Sequence, residues 1–144
     1  MADTQGMTET LTAFAGTTAT WTTAVSTTGM RDLVFSIELS AAASTGSDTL
    51  TVTIQHSNAD SSLHSTSNDN YFQTFYAFAA IAGNVTVPYI SHADMTQTLV
   101  NAVTLNIPRS IGKWIRYKYI VVNASGNAAY TGKIRTSWNN AVTS

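Results

Sequence analysis

The chain has 144 residues, the usual size of one domain. Only 10% of the residues are charged, far below the roughly 25% of ordinary soluble domains, whereas the hydrophobic fraction of 44% is normal. A net charge of −1 gives little electrostatic repulsion between copies, which makes association easier. The absence of cysteine excludes disulfides, a thiolate zinc site and a cysteine nucleophile.

Residues 1–12 are polar and show no clear periodicity, so they are predicted to form an extended arm before a single domain over residues 13–144. The opening MADTQGMTET has neither the basic nor the apolar region of a signal peptide, and no apolar run reaches membrane-spanning length. We therefore expect synthesis and folding in a cytoplasm and no membrane partner.

Two segments, residues 31–40 and 48–57, alternate between apolar and polar residues and are predicted to be half-buried strands. The inward-facing residues are Leu33, Phe35, Ile37 and Leu39 in the first segment, and Leu50, Val52, Ile54 and His56 in the second. The next residues, 58–70, are rich in Ser, Asn and Asp and predict a long surface loop. Tyr71–Ile81 carries aromatic residues on both parities, which predicts a strand buried on both faces, with a short helix as the alternative.

Gly83 and Asn84 predict a turn, after which Pro88 limits residues 85–90 to an edge strand or a strand end. Residues 98–107 alternate again. With about seven to nine short strands and no convincing helical period, the chain is predicted to be an all-β, single-domain antiparallel β-sandwich, jelly-roll-like in form.

Residues 123–127 include Ser125 and Gly126, which predict a two-residue hairpin turn between the last two strands. On the apolar face this register places Tyr117 opposite Ile134, Tyr119 opposite Gly132 and Val121 opposite Tyr130. On the other face it places Arg116 opposite Arg135 and Lys118 opposite Lys133, with Trp114 at the end. Opposed like charges destabilise a hairpin, so we interpret the four cations as a docking patch for an acidic partner. A solvated face with splayed side chains is the alternative.

Charge is also uneven along the chain. Residues 1–70 hold one base and seven acids, whereas residues 71–144 hold six bases and one acid. Such halves attract either within one molecule or between neighbours, and the sequence does not separate these cases.

No motif for catalysis is present. His56, His64 and His92 lie in separate segments without the spacing of a metal site, and the chain has no GxSxG elbow and no phosphate-binding Gly-rich loop. Asp60 and Asp69 lie among Asn residues but do not match a calcium loop. We therefore expect no enzymatic activity, no metal and no cofactor, and the slightly acidic net charge argues against nucleic acid as a partner.

Three tryptophans, Trp21, Trp114 and Trp138, are candidates for stacking on sugars. In the hairpin register Trp114 and Trp138 fall on opposite faces, so they cannot form one sugar platform together. This counts against a carbohydrate-binding module.

The chain contains three stretches in this order: DTLTVTIQHSNAD, YFQTFYAFAAIAG and IPRSIGKWIRYKYIVVNASGNAAYTGKIR. Together they resemble small bacteriophage capsid decoration proteins, also called cement or auxiliary head proteins. The resemblance covers roughly residues 48–135. It implies a β-sandwich, often trimeric, on the exterior of the virion, where it clamps neighbouring copies of the major capsid protein. A carbohydrate-binding module of a phage fibre or host-recognition protein and a tail-tube subunit are the alternatives.

The hairpin register supplies the residues expected to dock on an acidic capsid surface. They are Arg116, Lys118, Lys133 and Arg135, together with Trp114. No family motif marks these residues, so their assignment depends on the register alone.

Overall fold

The computed structural model describes residues 5–14, 18–43, 46–64, 69–94, 111–122 and 130–140. Within these ranges the chain forms ten strands in two antiparallel sheets that pack face to face, which confirms the predicted β-sandwich. The strands are β1 (Gln5–Phe14), β2 (Thr20–Trp21), β3 (Val25–Ser26), β4 (Met30–Ala41), β5 (Thr49–Ser57), β6 (Gln73–Ala77), β7 (Ile81–Ala82), β8 (Tyr89–Asp94), β9 (Trp114–Val122) and β10 (Tyr130–Asn140). A 3₁₀ turn at Ser61–Leu63 lies between β5 and β6.

The strand order is that of a jelly roll. Sheet I has the order β1-β10-β4-β8, and sheet II has the order β2-β9-β5-β6, with β3 also on β9 and β7 also on β5. When β2 and β3 are taken as one interrupted strand, and β6 and β7 as another, eight strands remain. Successive strands then change sheet at every connection except that between β5 and β6.

The core lies between the sheets and follows the two-residue period of the sequence. In β4 the predicted inward residues Leu33, Phe35, Ile37 and Leu39 are all buried, and in β5 so are Leu50, Val52 and Ile54. His56, at the end of β5, is only half-buried. Phe14 closes the core from β1 and packs edge-on against Tyr119 of β9, with ring centroids 4.9 Å apart.

The aromatic segment Tyr71–Ile81 contains a strand, but the strand is not buried on both faces. It spans Gln73–Ala77 at the edge of sheet II, and within it only Phe75 is buried. Phe72 and Phe78, which flank the strand, are buried as well. The prediction of burial on both faces was wrong because, among the described residues, β6 is an edge strand that buries only the side facing the core.

The chain around Gly83 and Asn84 turns as predicted, with the Val85 amide donating to the Ala82 carbonyl at 3.3 Å. β8 begins immediately after Pro88 and lies at the edge of sheet I. Part of the predicted N-terminal arm is a strand, since β1 pairs with β10 along its whole length. The predicted strand at residues 98–107 lies outside the described residues.

The predicted hairpin between the last two strands is wrong. β9 pairs with β5 in sheet II, whereas β10 pairs with β1 and β4 in sheet I. The turn proposed at residues 123–127 lies outside the described residues. Alternation nevertheless placed the apolar faces correctly, because Tyr117, Val121, Tyr130 and Ile134 are all buried. They face one another across the core instead of along one sheet.

Two tyrosines tie the sheets together through hydrogen bonds. The Tyr117 hydroxyl of sheet II donates to the Arg135 carbonyl of sheet I at 3.1 Å and lies 2.5 Å from the Thr136 hydroxyl. In the reverse direction, the Tyr130 hydroxyl donates to the Ile81 carbonyl at 3.2 Å. Burial raises the pKa of Tyr117, opposed by the hydrogen bond with Thr136, so the phenol stays protonated at neutral pH.

We expect Tyr117→Phe to lower the free energy of unfolding by about 1–2 kcal/mol, because it leaves the buried Thr136 hydroxyl without its partner. Urea denaturation at pH 7 measures this loss. Tyr71→Phe is the matched control, since the Tyr71 side chain is 50% exposed and the same change there is expected to cost less than about 0.5 kcal/mol. An equal loss in both variants would contradict the inter-sheet role.

Candidate functional site

A group of polar and aromatic side chains gathers around Asp69 on the outer face of sheet II. This group, called the Asp69 cluster below, consists of Trp21, Gln55, Asp69, Phe72, Arg116 and Lys118. The strand register explains how it assembles, because Gln55 lies opposite Arg116 and Trp21 lies opposite Lys118. Asp69 reaches them from the segment that precedes β6.

Arg116 occupies the centre of the cluster and is only 2% exposed. Its Nε donates to the Gln55 Oε1 at 2.9 Å, and its terminal nitrogen lies 3.4 Å from the Asp69 Oδ1. The guanidinium carbon lies 3.9 Å from the centroid of the Phe72 ring and 5.6 Å from that of Trp21. Burial lowers the pKa of Arg116 and the Asp69 carboxylate raises it, and an arginine remains charged under either influence.

Asp69 binds donors from three strands. Its Oδ1 accepts from the Trp21 indole at 2.7 Å and from the Gln55 amide at 2.9 Å, and its Oδ2 accepts from the Lys118 ammonium at 2.5 Å. Partial burial alone would raise the pKa of Asp69, but the hydrogen bonds from Lys118, Gln55 and Trp21 outweigh it. The pKa is lowered from 3.8 to about 2, so Asp69 is ionised at any pH near neutral.

The beginning of the same loop packs next to the cluster. The His64 ring lies edge-on between Phe72 and Trp114, with centroid distances of 4.9 and 5.0 Å. The Asp60 side chain caps the 3₁₀ turn by accepting from the Ser62 amide at 2.9 Å. Trp114, predicted as a docking residue, therefore packs against the loop, and Asp60 and Asp69 both accept hydrogen bonds from the protein.

The structure does not bring the four predicted cations together. Arg116 and Lys118 lie on the outer face of sheet II, whereas Lys133 and Arg135 lie on the outer face of sheet I. The repulsion expected from the hairpin register is therefore absent, and Lys133 lies directly opposite Glu38. Arg135 forms an ion pair with the same carboxylate, with 2.7 Å between its terminal nitrogen and the Glu38 Oε2.

Part of the uneven charge along the chain is compensated within one molecule. Asp69 from the acidic half pairs with Arg116 and Lys118 from the basic half, and Glu38 of the acidic half likewise pairs with Arg135 of the basic half. Among the described residues, these ion pairs join the two halves internally.

Sequence reasoning did not find the central role of Asp69. The side chain of Asp69 is hydrogen-bonded to Trp21, Gln55 and Lys118, which lie 48, 14 and 49 positions away in the sequence. One signal was present, namely an acidic residue in a polar loop directly before the aromatic run that starts at Tyr71.

The described residues hold no group of three or more His, Asp or Glu side chains that could bind a metal ion. His56 lies in β5 and His64 follows the 3₁₀ turn, and the side chain of His92 lies outside the described residues. In the same part of the chain, no helix has the length and hydropathy needed to span a bilayer.

Comparisons of the chain with protein-family models, with curated proteins and with solved structures found no match. The likeness to capsid decoration proteins therefore stays a resemblance, carried by residues 48–135. The jelly roll and the arrangement of its outer faces are the structural basis for inferring function.

We expect Asp69→Asn to lower the free energy of unfolding at pH 7 by about 1 kcal/mol, a value that allows for solvent screening of a side chain 40% exposed. Since folding lowers this pKa, the stabilisation is fully present above pH 3.8 and is lost as the pH falls towards about 2. The difference in free energy of unfolding between wild type and Asp69→Asn should therefore shrink as the pH falls from 3.8 to about 2. Urea denaturation at a series of pH values measures it.

Glu38→Gln is the matched control, because it removes a carboxylate that pairs with Arg135 on the outer face of sheet I, away from the Asp69 cluster. Its expected cost is about 0.5 kcal/mol, typical of one partly exposed ion pair. A cost for Asp69→Asn no larger than that of the control, or one that stays constant from pH 4 to pH 2, would show that the cluster does not act as a unit.

Proposed function

We propose that the chain is a non-catalytic structural protein of a phage virion, which binds the outer surface of the capsid and stabilises contacts between major capsid protein subunits. The observation that carries the proposal is a jelly roll with few charges, some of which pair with one another among the described residues. Jelly rolls occur in viral capsid and lectin domains, which is support by analogy of fold alone. The resemblance over residues 48–135 selects the capsid role among these.

Low surface charge favours close packing against other subunits. Lys and Arg together number 7 and Asp and Glu together number 8 in 144 residues. The ion pairs of Asp69 and Glu38 neutralise part of this small number within the molecule. A partner therefore removes little charge from water when it covers such a surface, which lowers the desolvation cost of binding.

The outer face of sheet I is the better candidate for docking. It presents Lys133 and Arg135 from β10 and Glu38 from the adjacent β4, and β8, on the far side of β4, places Ile90 opposite Glu38. Ile90 is 53% exposed, and a partner that covered it would bury apolar area beside these charged groups. On sheet II, by contrast, Arg116 is buried and engaged by Gln55 and Asp69.

Cementing would act by adding interface area where capsid subunits meet, so that opening of the shell must also break the added contacts. The test compares particles that contain the chain with particles that lack it. Electron microscopy should show surface protrusions only when the chain is present, and DNA release on heating should begin at a lower temperature when it is absent. An unaltered shell would reject the proposal.

Binding back to particles that lack the chain tests the docking face. The double variant Lys133→Thr/Arg135→Thr should bind at least about tenfold more weakly than wild type, since two contacts with an acidic surface are lost. Lys118→Thr, on the opposite face, is the control and should bind as wild type does. Co-sedimentation with particles measures the binding of each variant. Equal binding by both variants would reject sheet I as the docking face.

A further inference from the structure

An open cleft lies beside the Asp69 cluster, at the end of β5. Its volume is about 290 Å³, near the lower limit of about 300 Å³ for small-molecule sites. It is lined by the end of β5 with the two residues that follow, by the start of β6 with the residues that lead into it, and by Gly112 before β9. The principal lining residues are His56, Asn58, Asn70, Tyr71, Gln73 and Gly112.

Among the described residues, the lining of the cleft combines polar and apolar groups and includes no Asp, Glu, Lys or Arg. It contains three side-chain amides, an imidazole and the hydroxyl groups of Ser57 and Tyr71. Each amide offers both a donor and an acceptor, as a hydroxyl group of a ligand does. Such a lining suits a neutral ligand rich in hydroxyl groups better than an anion or a cation.

Hydrogen bonds within the protein fix several of these groups. The Gly112 amide donates to the His56 Nδ1 at 2.9 Å, so the neutral imidazole carries its proton on Nε2. The Asn58 Oδ1 accepts from the Lys113 amide at 2.9 Å, which directs the NH₂ end of the amide away from Lys113. These groups are held before a ligand arrives, which reduces the entropy cost of binding.

Tyr71 adds an apolar surface to the cleft. Half of its side chain is exposed, although a tyrosine usually buries most of its ring. The face of an aromatic ring packs well against the C–H side of a pyranose, while the hydroxyl groups of the sugar reach the polar wall. A flat ring beside fixed amides is the combination that a sugar requires.

We propose that this cleft binds one neutral monosaccharide unit, stacked on Tyr71 and hydrogen-bonded by Asn58, Asn70 and Gln73. This site is distinct from the face proposed for docking, because it lies at one end of sheet II and not on the outer face of sheet I. A small open site supports weak binding, so we expect a Kd of about 1 mM.

Titration of ¹⁵N-labelled protein with glucose, galactose, mannose and N-acetylglucosamine, each to 50 mM and monitored by NMR, tests the proposal. At least one sugar should give saturable shifts at the Gly112 amide and at the side-chain amides of Asn58, Asn70 and Gln73. The methyl glycoside and a disaccharide of the bound sugar distinguish the source. Retained binding of both indicates the end of a glycan chain, whereas binding of the free sugar alone indicates a free metabolite.

Two variants at one exposed position serve as the internal comparison. Tyr71→Ala should weaken binding at least about fivefold, whereas Tyr71→Phe keeps the ring and should bind within about twofold of wild type. Unchanged spectra away from the cleft show that both variants are folded. The absence of saturable shifts with all four sugars would overturn the proposal, as would equal affinities of wild type and Tyr71→Ala.

Discussion

A guanidinium shielded from water must find its hydrogen-bond acceptors and its counter-charge within the protein, and Arg116 meets this requirement on the outer face of sheet II. Gln55 supplies an acceptor, Asp69 supplies the negative charge, and Phe72 covers the planar group. Asp69 and Phe72 belong to the segment between β5 and β6, so the same contacts fasten that segment to the sheet. The wall of the cleft at Asn70 and Tyr71 follows directly from this attachment.

The jelly-roll topology decides which surfaces are available to other molecules. Because β9 and β10 lie in different sheets, their outward residues point in opposite directions. One outer face carries a compact ion-pair cluster already occupied by the protein itself. The other carries Lys133, the ion pair of Glu38 with Arg135 and the exposed Ile90, and it is the face on which we propose that docking occurs.

Alternation in the sequence predicted which way each side chain points, and this holds for β4, β5, β9 and β10. It did not predict which strand lies beside which, because a period of two is satisfied equally by a hairpin and by two strands that face each other across a core. The inward side of β9 at Tyr117 was thus correct while its proposed partner Ile134 was not. Asp69 escaped prediction for a related reason, since its partners are remote in sequence and no local pattern encodes them.

The pairing of β1 with β10 has a consequence for how the protein folds. Gln5 lies beside Asn139, so sheet I gains its β1 strand only after nearly the whole chain has been synthesised. Sheet II, whose β5 and β6 are close in sequence, can begin to form earlier. Closing so long a loop is slow, and until it closes the edge of β4 that pairs with β10 keeps its backbone groups unpaired. The interval between synthesis of β4 and arrival of β10 is therefore when this protein is most exposed to aggregation.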